Sequence, residues 1–422
     1  MYFSPFEENP VYTQKEKGPF TDGRKYVKPE FKNDFQRKTL QMVFQNDKFT
    51  RKDLIDQLYI AYMEARRHKR DTEDEMRFEF NLPDNIENLA NTILRRTYIP
   101  SRGIAFIVKN PVIREIFAAP FRDRVVHHLL FNLSGAWWDR RFIGGSFSCR
   151  KGKGTLFGWR KLQKDMRRCS QMGKVPSTIY KFDISGYFMS MQRTRLFEEV
   201  EWGLRRQFAH SRKIYRMTRF LWHEVIFDDP TQGVKIRGKR IDWRDLPRSK
   251  SLFCQRPGRG IVIGNLTSQL LSNIFLNQFD QYVKRELHQE FYGRYVDDFY
   301  FIIQNNNIPE FNKDRSRVTL FLQSMGLKLH PKKCYAQPVE HGMDFLGARV
   351  FLQHQQPGRR VLRTFHRVAN DIFYGIRDDV EVLGSYDGIL SHMHAIKVIT
   401  KVYNHYGWDY ELKKKPKQSL KP

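Results

Sequence analysis

The sequence predicts a mixed α+β chain, and three observations carry that reading. Short runs at 104–108, 177–185 and 293–303 are dense in branched and aromatic residues, as strands require. Stretches between and after them repeat apolar residues three and four apart, the spacing of half-buried helices. With 422 residues, 40% of them hydrophobic and 14% aromatic, the chain can bury a core large enough for two or three subdomains.

Residues 1–38 are rich in Pro, Lys, Phe and Tyr without a clear period and read as a loosely ordered arm. From Asp53, the residues Leu54, Leu58, Ala61, Tyr62 and Ala65 mark a helix that ends in the basic run 66–70. Ile86, Leu89 and Ile93 share a face of a second helix over 85–96. Residues 104–108 read as a strand, and 120–134 as a helix built on Val125, Leu129 and Leu133. Segment 147–158 concentrates glycine and lysine, and two readings stay open: a backbone cradle for phosphates or a flexible basic loop. It is not the common nucleotide loop, because Gly154 follows Lys153 where Ser or Thr is required. Helical pattern resumes over 197–221 and gives way to irregular, Arg-rich sequence as far as 258. Residues 260–269 open a helix with Leu266, Leu270, Ile274 and Tyr282 on one face. After Phe351 the chain is basic and helical over 365–374 and 389–406, ending in a lysine-rich tail at 413–417.

Charge narrows the function. Lys and Arg total 74 against 46 acids, a formal net charge of +28. Self-repulsion of that size is relieved by a polyanion, and nucleic acid is the usual one. No apolar run approaches the ~20 residues that span a bilayer, and the N-terminus has no signal-peptide pattern. Cys149, Cys169, Cys254 and Cys334 are widely spaced, which argues against a zinc site or a disulfide framework and fits a cytoplasmic location.

Acidic residues supply the chemistry. Gly293-Arg294-Tyr295-Val296-Asp297-Asp298-Phe299-Tyr300 reads as a hairpin with two carboxylates at its tip. Adjacent carboxylates repel, so a bound cation relieves them; an Asp-Asp turn by itself fits a purely structural role equally well. Residues 177–185 place Tyr180, Phe182 and Ile184 on one strand face and Lys181 and Asp183 on the other, leaving an exposed carboxylate near the strand end. Asp183 as a simple strand-end cap is also open. Three such acids together are what two-metal phosphoryl transfer needs, with hard oxygen ligands suited to Mg²⁺.

Tyr295-Val296-Asp297-Asp298 resembles the Tyr-x-Asp-Asp signature of reverse transcriptases, and Phe182-Asp183-Ile184 is similar to their first catalytic motif. Gly326-Leu327-Lys328-Leu329-His330-Pro331-Lys332-Lys333 and Phe345-Leu346-Gly347 resemble, in order, the family's lysine-bearing and primer-grip motifs. The resemblance covers residues 50 to 400 and implies an α+β right-hand polymerase fold with fingers, a palm of antiparallel sheet and helices, and a helical thumb. It implies an N-terminal arm at 1–38, fingers at 39–175, a palm at 176–350 with a fingers insertion at about 200–258, and a basic thumb and tail at 351–422. Asp183, Asp297 and Asp298 are then the catalytic acids, binding two Mg²⁺ ions (or Mn²⁺) with the Ile184 carbonyl. Phe188 is the gate against a ribose 2′-hydroxyl, and Lys333, or Lys332 in its place, is the acid for pyrophosphate. Phe345, Leu346 and Gly347 form the primer grip.

Residues 260–269 carry Ile263-Gly264 and Ser268-Gln269 where most reverse transcriptases have Gln-Gly and Ser-Pro. That substitution resembles the enzymes of diversity-generating retroelements, as do segments 114–124 and 242–253. The likeness implies error-prone cDNA synthesis with mutations opposite template adenine, used to diversify a target gene by mutagenic retrohoming. It implies nucleotide contacts from Arg114, Phe188, Ile263, Gly264, Gln269 and Lys333. It also implies as partners a template RNA, its RNA/cDNA duplex, deoxynucleoside triphosphates and a small basic accessory variability protein, in a bacterial, phage or archaeal host. Ile263 as ordinary packing, with ordinary fidelity, is the plainer alternative. The stretch after Phe351 is expected to be too short for a nuclease domain of ~100–150 residues. Rival readings are a defence-associated reverse transcriptase, a structural or regulatory protein of an anti-phage system, and a catalytically inactive nucleic-acid-binding homologue.

Overall fold

The computed structural model describes residues 49–67, 72–109 and 112–408. The expected arm at 1–38 and the tail at 413–417 lie outside the described residues. Two compact units divide the chain: one runs to Phe142 and resumes at Phe188–Phe275, and the other joins Ile143–Tyr187 to everything from Leu276.

The second unit is built on a four-stranded antiparallel sheet in the order Tyr292–Tyr295, Asp298–Gln304, Ser177–Asp183, Tyr335–Pro338. Both faces are covered, which is why the run Phe299-Tyr300-Phe301-Ile302 is continuously apolar rather than alternating. On one face Phe182 stacks on Phe299 at 5.1 Å between ring centroids, Phe279 meets Phe299 at 5.3 Å, and Phe311 of helix Ile308–Ser324 lies 4.5 Å from Tyr180. On the other, helix Thr155–Cys169 presents Asp165 to the Tyr300 hydroxyl at 2.9 Å. Its Trp159 indole donates to the Phe345 carbonyl at 3.0 Å.

Segment 147–158 is resolved into two parts. Gly152 and Gly154 lie in an open turn, whereas Gly158 lies within the helix, where a Cβ would come 2.6 Å from the Phe147 ring. Gly158 is therefore a packing residue rather than part of a phosphate loop. Beyond the sheet, Met343–Phe345, Ala348–Val350 and Gln355–Pro357 form a small antiparallel sheet. The helices expected over 365–374 and 389–406 are instead three, Arg359–Phe373, Glu381–Leu390 and Ile396–His405. The first begins earlier, at Arg359, where half-buried Val361 and Leu362 continue the apolar face of Phe365 and Val368 behind the exposed Arg359 and Arg360.

In the first unit, Thr50 caps helix Arg51–Ala65 through a capping box with Asp53, which fixes its start two residues before the expected Asp53. Helices Glu73–Phe80 and Leu82–Leu94 follow, the second covering most of the helix expected at 85–96. The helix expected at 120–134 runs Phe121–Asp139, because Trp137 and Trp138 continue its buried face. The helical pattern at 197–221 is two helices, Arg193–Gln207 and Arg212–Phe227. Strand Ile104–Val108 pairs antiparallel with Arg114–Ala118 and parallel with the two-residue strand Lys235–Ile236.

Glu115, only 1% exposed, ties the Arg-rich segment 243–252 to this sheet. Its carboxylate accepts hydrogen bonds from the Trp243 indole at 2.7 Å, the Ser251 hydroxyl at 2.7 Å and the Leu252 amide at 2.5 Å. Leu252 and Trp243 join a cluster with Ala105, Phe117 and Met189, against which Phe188, Val262 and Ile263 pack. Glu115→Ala leaves these donors without a partner in a dry setting, a loss of roughly 3 kcal/mol. We expect amide exchange over 240–254 to accelerate while 177–183 stays protected; unchanged exchange at 240–254 would contradict this role.

Candidate active site

Sheet register puts the expected acids together. Asp183 ends its strand directly opposite Asp298, and the Ile184 amide donates to the Asp297 carbonyl at 3.1 Å. Asp297 sits in the two-residue turn between Tyr295 and Asp298, preceded by Val296 in the left-handed region at φ +56°. Like charges directly across an antiparallel pair repel, and burial compounds the cost.

The Asp297 carboxyl is accordingly pushed up to about 7 by desolvation and by the charges of Asp298 and Asp183. Burial also raises Asp298, against the pull of Lys181. Asp183 departs from the expected exposed carboxylate: it is 5% exposed, because segment 328–334 folds over the strand end. There the His330 amide donates to the Asp183 carbonyl at 2.7 Å and the Ser185 amide to the Lys328 carbonyl at 2.8 Å.

Cations offset part of the repulsion. Lys333 Nζ donates to Asp183 Oδ2 at 2.9 Å. Lys181 Nζ stands 3.3 Å from Asp298 Oδ1, within ion-pair reach but outside hydrogen-bonding geometry, so that buried oxygen has no hydrogen-bond donor. Of the two lysines left open by the sequence, Lys333 is the one whose side chain meets an acid. Among the described residues no three acids, histidines or cysteines already enclose an ion-sized space. Lys333 and Lys181 thus draw Asp183 and Asp298 toward themselves and ease the repulsion among the three. The donor set nevertheless suits a hard divalent cation: three adjoining carboxylates, one with a buried oxygen that receives no hydrogen bond.

Phe345, Leu346 and Gly347 form a hairpin tip whose turn residues, Leu346 at φ +50° and Gly347 at φ +85°, are both left-handed. Phe147 lies between this hairpin and the acidic one, with its ring 6.0 Å from Phe345 and 6.0 Å from Tyr295. That link carries no sequence signal, since a lone phenylalanine in a glycine-rich segment has no period.

The model of the family described as reverse transcriptase (RNA-dependent DNA polymerase) matches residues 114–350, more than half of the chain. The chain belongs to the reverse transcriptase family. Members are nucleotidyltransferases, and the fold is the family's α+β right-hand polymerase class. The chain is 24% identical over 308 residues to Protein YkfC of Escherichia coli (strain K12), covering 64% of this chain and 70% of that protein. Among solved structures it is similar to telomerase from Candida albicans bound to the TWJ fragment of telomeric RNA, with 11% identity, a TM-score of 0.43 and coverage of 79% of this chain. Apo telomerase from Candida tropicalis gives 12% identity, a TM-score of 0.43 and 76% coverage. The chain spans 59% and 62% of the length of those two proteins.

The residues that the reverse transcriptase resemblance assigns to nucleotide binding fall in the other compact unit, apart from Lys333. Phe188 and Ile263 pack on one apolar cluster. The Ile263 carbonyl accepts from the Phe117 amide at 3.3 Å, beside Arg114 on the same strand. Gly264 has φ +122°, and a Cβ there would stand 3.1 Å from Ile116, so the close strand contact requires glycine. Gln269, on helix Leu266–Arg285, has a buried Oε1 with no hydrogen-bond partner. Glu115, which pins segment 243–252 beside these residues, is the participant that sequence reasoning missed. Its signal was an acid between Arg114 and Ile116 on a β-prone run.

The raised Asp297 carboxyl gives a stability test. Its folded value lies above the ordinary 3.8, so ionisation costs nothing below about pH 4 and progressively more as pH rises toward 7. The ceiling is ~4 kcal/mol, and less in practice because Asp297 is only half-buried. Asp297→Asn in chelator-treated protein should raise Tm at pH 8 and lose that advantage at pH 4. Equal melting shifts at both pH values would show that the acids do not strain this turn.

Proposed function

We propose that the chain is an active RNA-directed DNA polymerase that copies a template RNA into cDNA, with Asp183, Asp297 and Asp298 as its catalytic acids. The observation that carries this is the pairing of Asp183 with Asp298 across the sheet, beside the Asp297 turn. Two divalent cations, magnesium or manganese, held by these carboxylates and the Ile184 carbonyl would supply the charge that activates a primer 3′-hydroxyl and offsets the leaving pyrophosphate. Lys333, whose Nζ lies 2.9 Å from Asp183 Oδ2, would give a proton to the leaving pyrophosphate. Phe188 excludes a 2′-hydroxyl, and Arg114, Ile263, Gly264 and Gln269 bind the incoming deoxynucleotide. Phe345, Leu346 and Gly347 seat the primer strand.

We assign 39–175 to the fingers, 176–350 to the palm with an insertion at 200–258, and 351–422 to the thumb. Arg359, Arg360, Arg363 and Arg367 are exposed on helix Arg359–Phe373. Such a face suits the phosphate backbone of an RNA/cDNA duplex. All four cysteines are free thiols and no described helix is long and apolar enough to cross a membrane, which supports the cytoplasmic reading.

Within the family we favour the diversity-generating retroelement role: adenine-mutagenised cDNA made with the element's own RNA and a small basic accessory protein. Support comes from Ile263 in place of a polar glutamine, and from two segments that resemble that group, 114–124 and 242–253. Glu115 hydrogen-bonds these two segments to each other.

Purified chain with primer and template RNA should extend cDNA in Mg²⁺. Asp297→Ala with Asp298→Ala should abolish extension, by at least roughly a thousandfold, while filter binding of RNA persists; retained synthesis refutes the catalytic assignment. Sequencing the cDNA tests the finer role. Substitutions are expected mainly opposite template adenine, and an even spread over four bases rejects the diversification reading while leaving polymerisation intact.

A further inference from the structure

The turn that carries Asp297 stands on a residue that resists its own conformation. Val296 is β-branched and sits at φ +56°, a region that costs such a side chain ~1–3 kcal/mol. It is also 4% exposed, so its carbonyl needs a protein donor.

That donor is Arg294. Its side chain and that of Asp280 are both 0% exposed. The guanidinium grips Asp280 with two bonds, Nη2 to Oδ2 at 2.6 Å and Nε to Oδ1 at 2.8 Å. Nη1 donates to the Val296 carbonyl at 3.0 Å, and Nη2 also reaches the Ser146 hydroxyl at 3.1 Å. Tyr292 steadies the acid from the other side, its hydroxyl donating to Asp280 Oδ1 at 2.7 Å. A buried ion pair is a poor device for stability alone, because desolvation consumes much of its attraction and apolar residues of equal volume do as well. What apolar packing cannot provide is a rigid, forked donor aimed at the carbonyl of the left-handed residue.

We propose that Arg294, locked by Asp280, is a positioning residue that clamps Val296 in its left-handed conformation and thereby sets the direction of the Asp297 carboxylate. The inference rests on the assignment of Asp297 as a catalytic acid. Lysine at 294 keeps the charge pair but loses the planar fork, so it can hold Asp280 or the Val296 carbonyl and not both in the same geometry. Glycine at 296 adopts φ +56° freely and has little need of a clamp.

The test is a double-mutant cycle in the full chain with Arg294→Lys, Val296→Gly and their combination, read as single-nucleotide addition and as thermal melting. Arg294→Lys is expected to lower kcat by roughly tenfold with a smaller change in deoxynucleotide KM. With glycine at 296 the same lysine substitution should cost less than about threefold. An equal loss in both backgrounds overturns the clamp. If lysine at 294 does not fold, Arg294→Met with Asp280→Leu removes the pair without stranding a charge, and the same dependence on residue 296 is expected. Melting carries the test without turnover: substitutions at 294 and 296 should be non-additive in Tm, and strict additivity overturns the proposal. A wild-type chain inactive in every template assay would sink the polymerase reading instead, leaving the melting result to judge the clamp.

Discussion

The structure depends on one unfavourable arrangement: three carboxylates gathered at the end of a sheet covered on both faces. Asp183 faces Asp298 across the strand pair and Asp297 adjoins both. Such crowding persists only where the surroundings over-determine it. Here the aromatic stack of Phe182, Phe299 and Phe301 holds the register on one face, and helix Thr155–Cys169 holds it on the other. A one-residue slip would turn every side chain of the central strands to the wrong face, so the apolar core and the acidic cluster are set by the same pairing. Lys181 and Lys333 then screen the charges that the register concentrates.

Each compact unit solves a similar problem by burying a charge beneath its polar elements. Asp280 lies under the acidic turn, bonded to Arg294 and Tyr292. Glu115 lies under segment 243–252, bonded to Trp243, Ser251 and the Leu252 amide. Asp280 collects its donors from two side chains of strand Tyr292–Tyr295, and Glu115 collects two side chains and one backbone amide from segment 243–252. Irregular segments can thus be held firmly enough to carry reactive or selective side chains.

Much of the site was legible in the chain because local chemistry and local geometry coincide there. A two-residue turn flanked by β-prone runs needs few alternatives to be weighed, and Tyr295–Asp298 forms as its sequence implies. The hairpin at 345–348 is equally local, and so is the helix capped by Thr50. Where the reading departed, the cause was long-range. Asp183 is buried by segment 328–334, about 150 positions away, so strand alternation alone placed it in solvent. Gly158 seemed part of a basic loop because its reason for being glycine is the Phe147 ring. The opening of helix Arg359–Phe373 was missed because its apolar pair Val361 and Leu362 lies within a run of arginines that masks the period.

By itself, then, the sequence determined the composition of the acidic hairpin, the strands and most helices, the basic character that suits a polyanion, and the family whose motifs appear in order. These follow from nearest-neighbour propensity and spacing, which act within a few residues. Only the tertiary structure decided that Asp183 meets Asp298, that Lys333 rather than Lys332 reaches an acid, and that Glu115 and Asp280 anchor their irregular segments. Those outcomes turn on contacts between distant positions, whose strength depends on burial and geometry that no local pattern encodes.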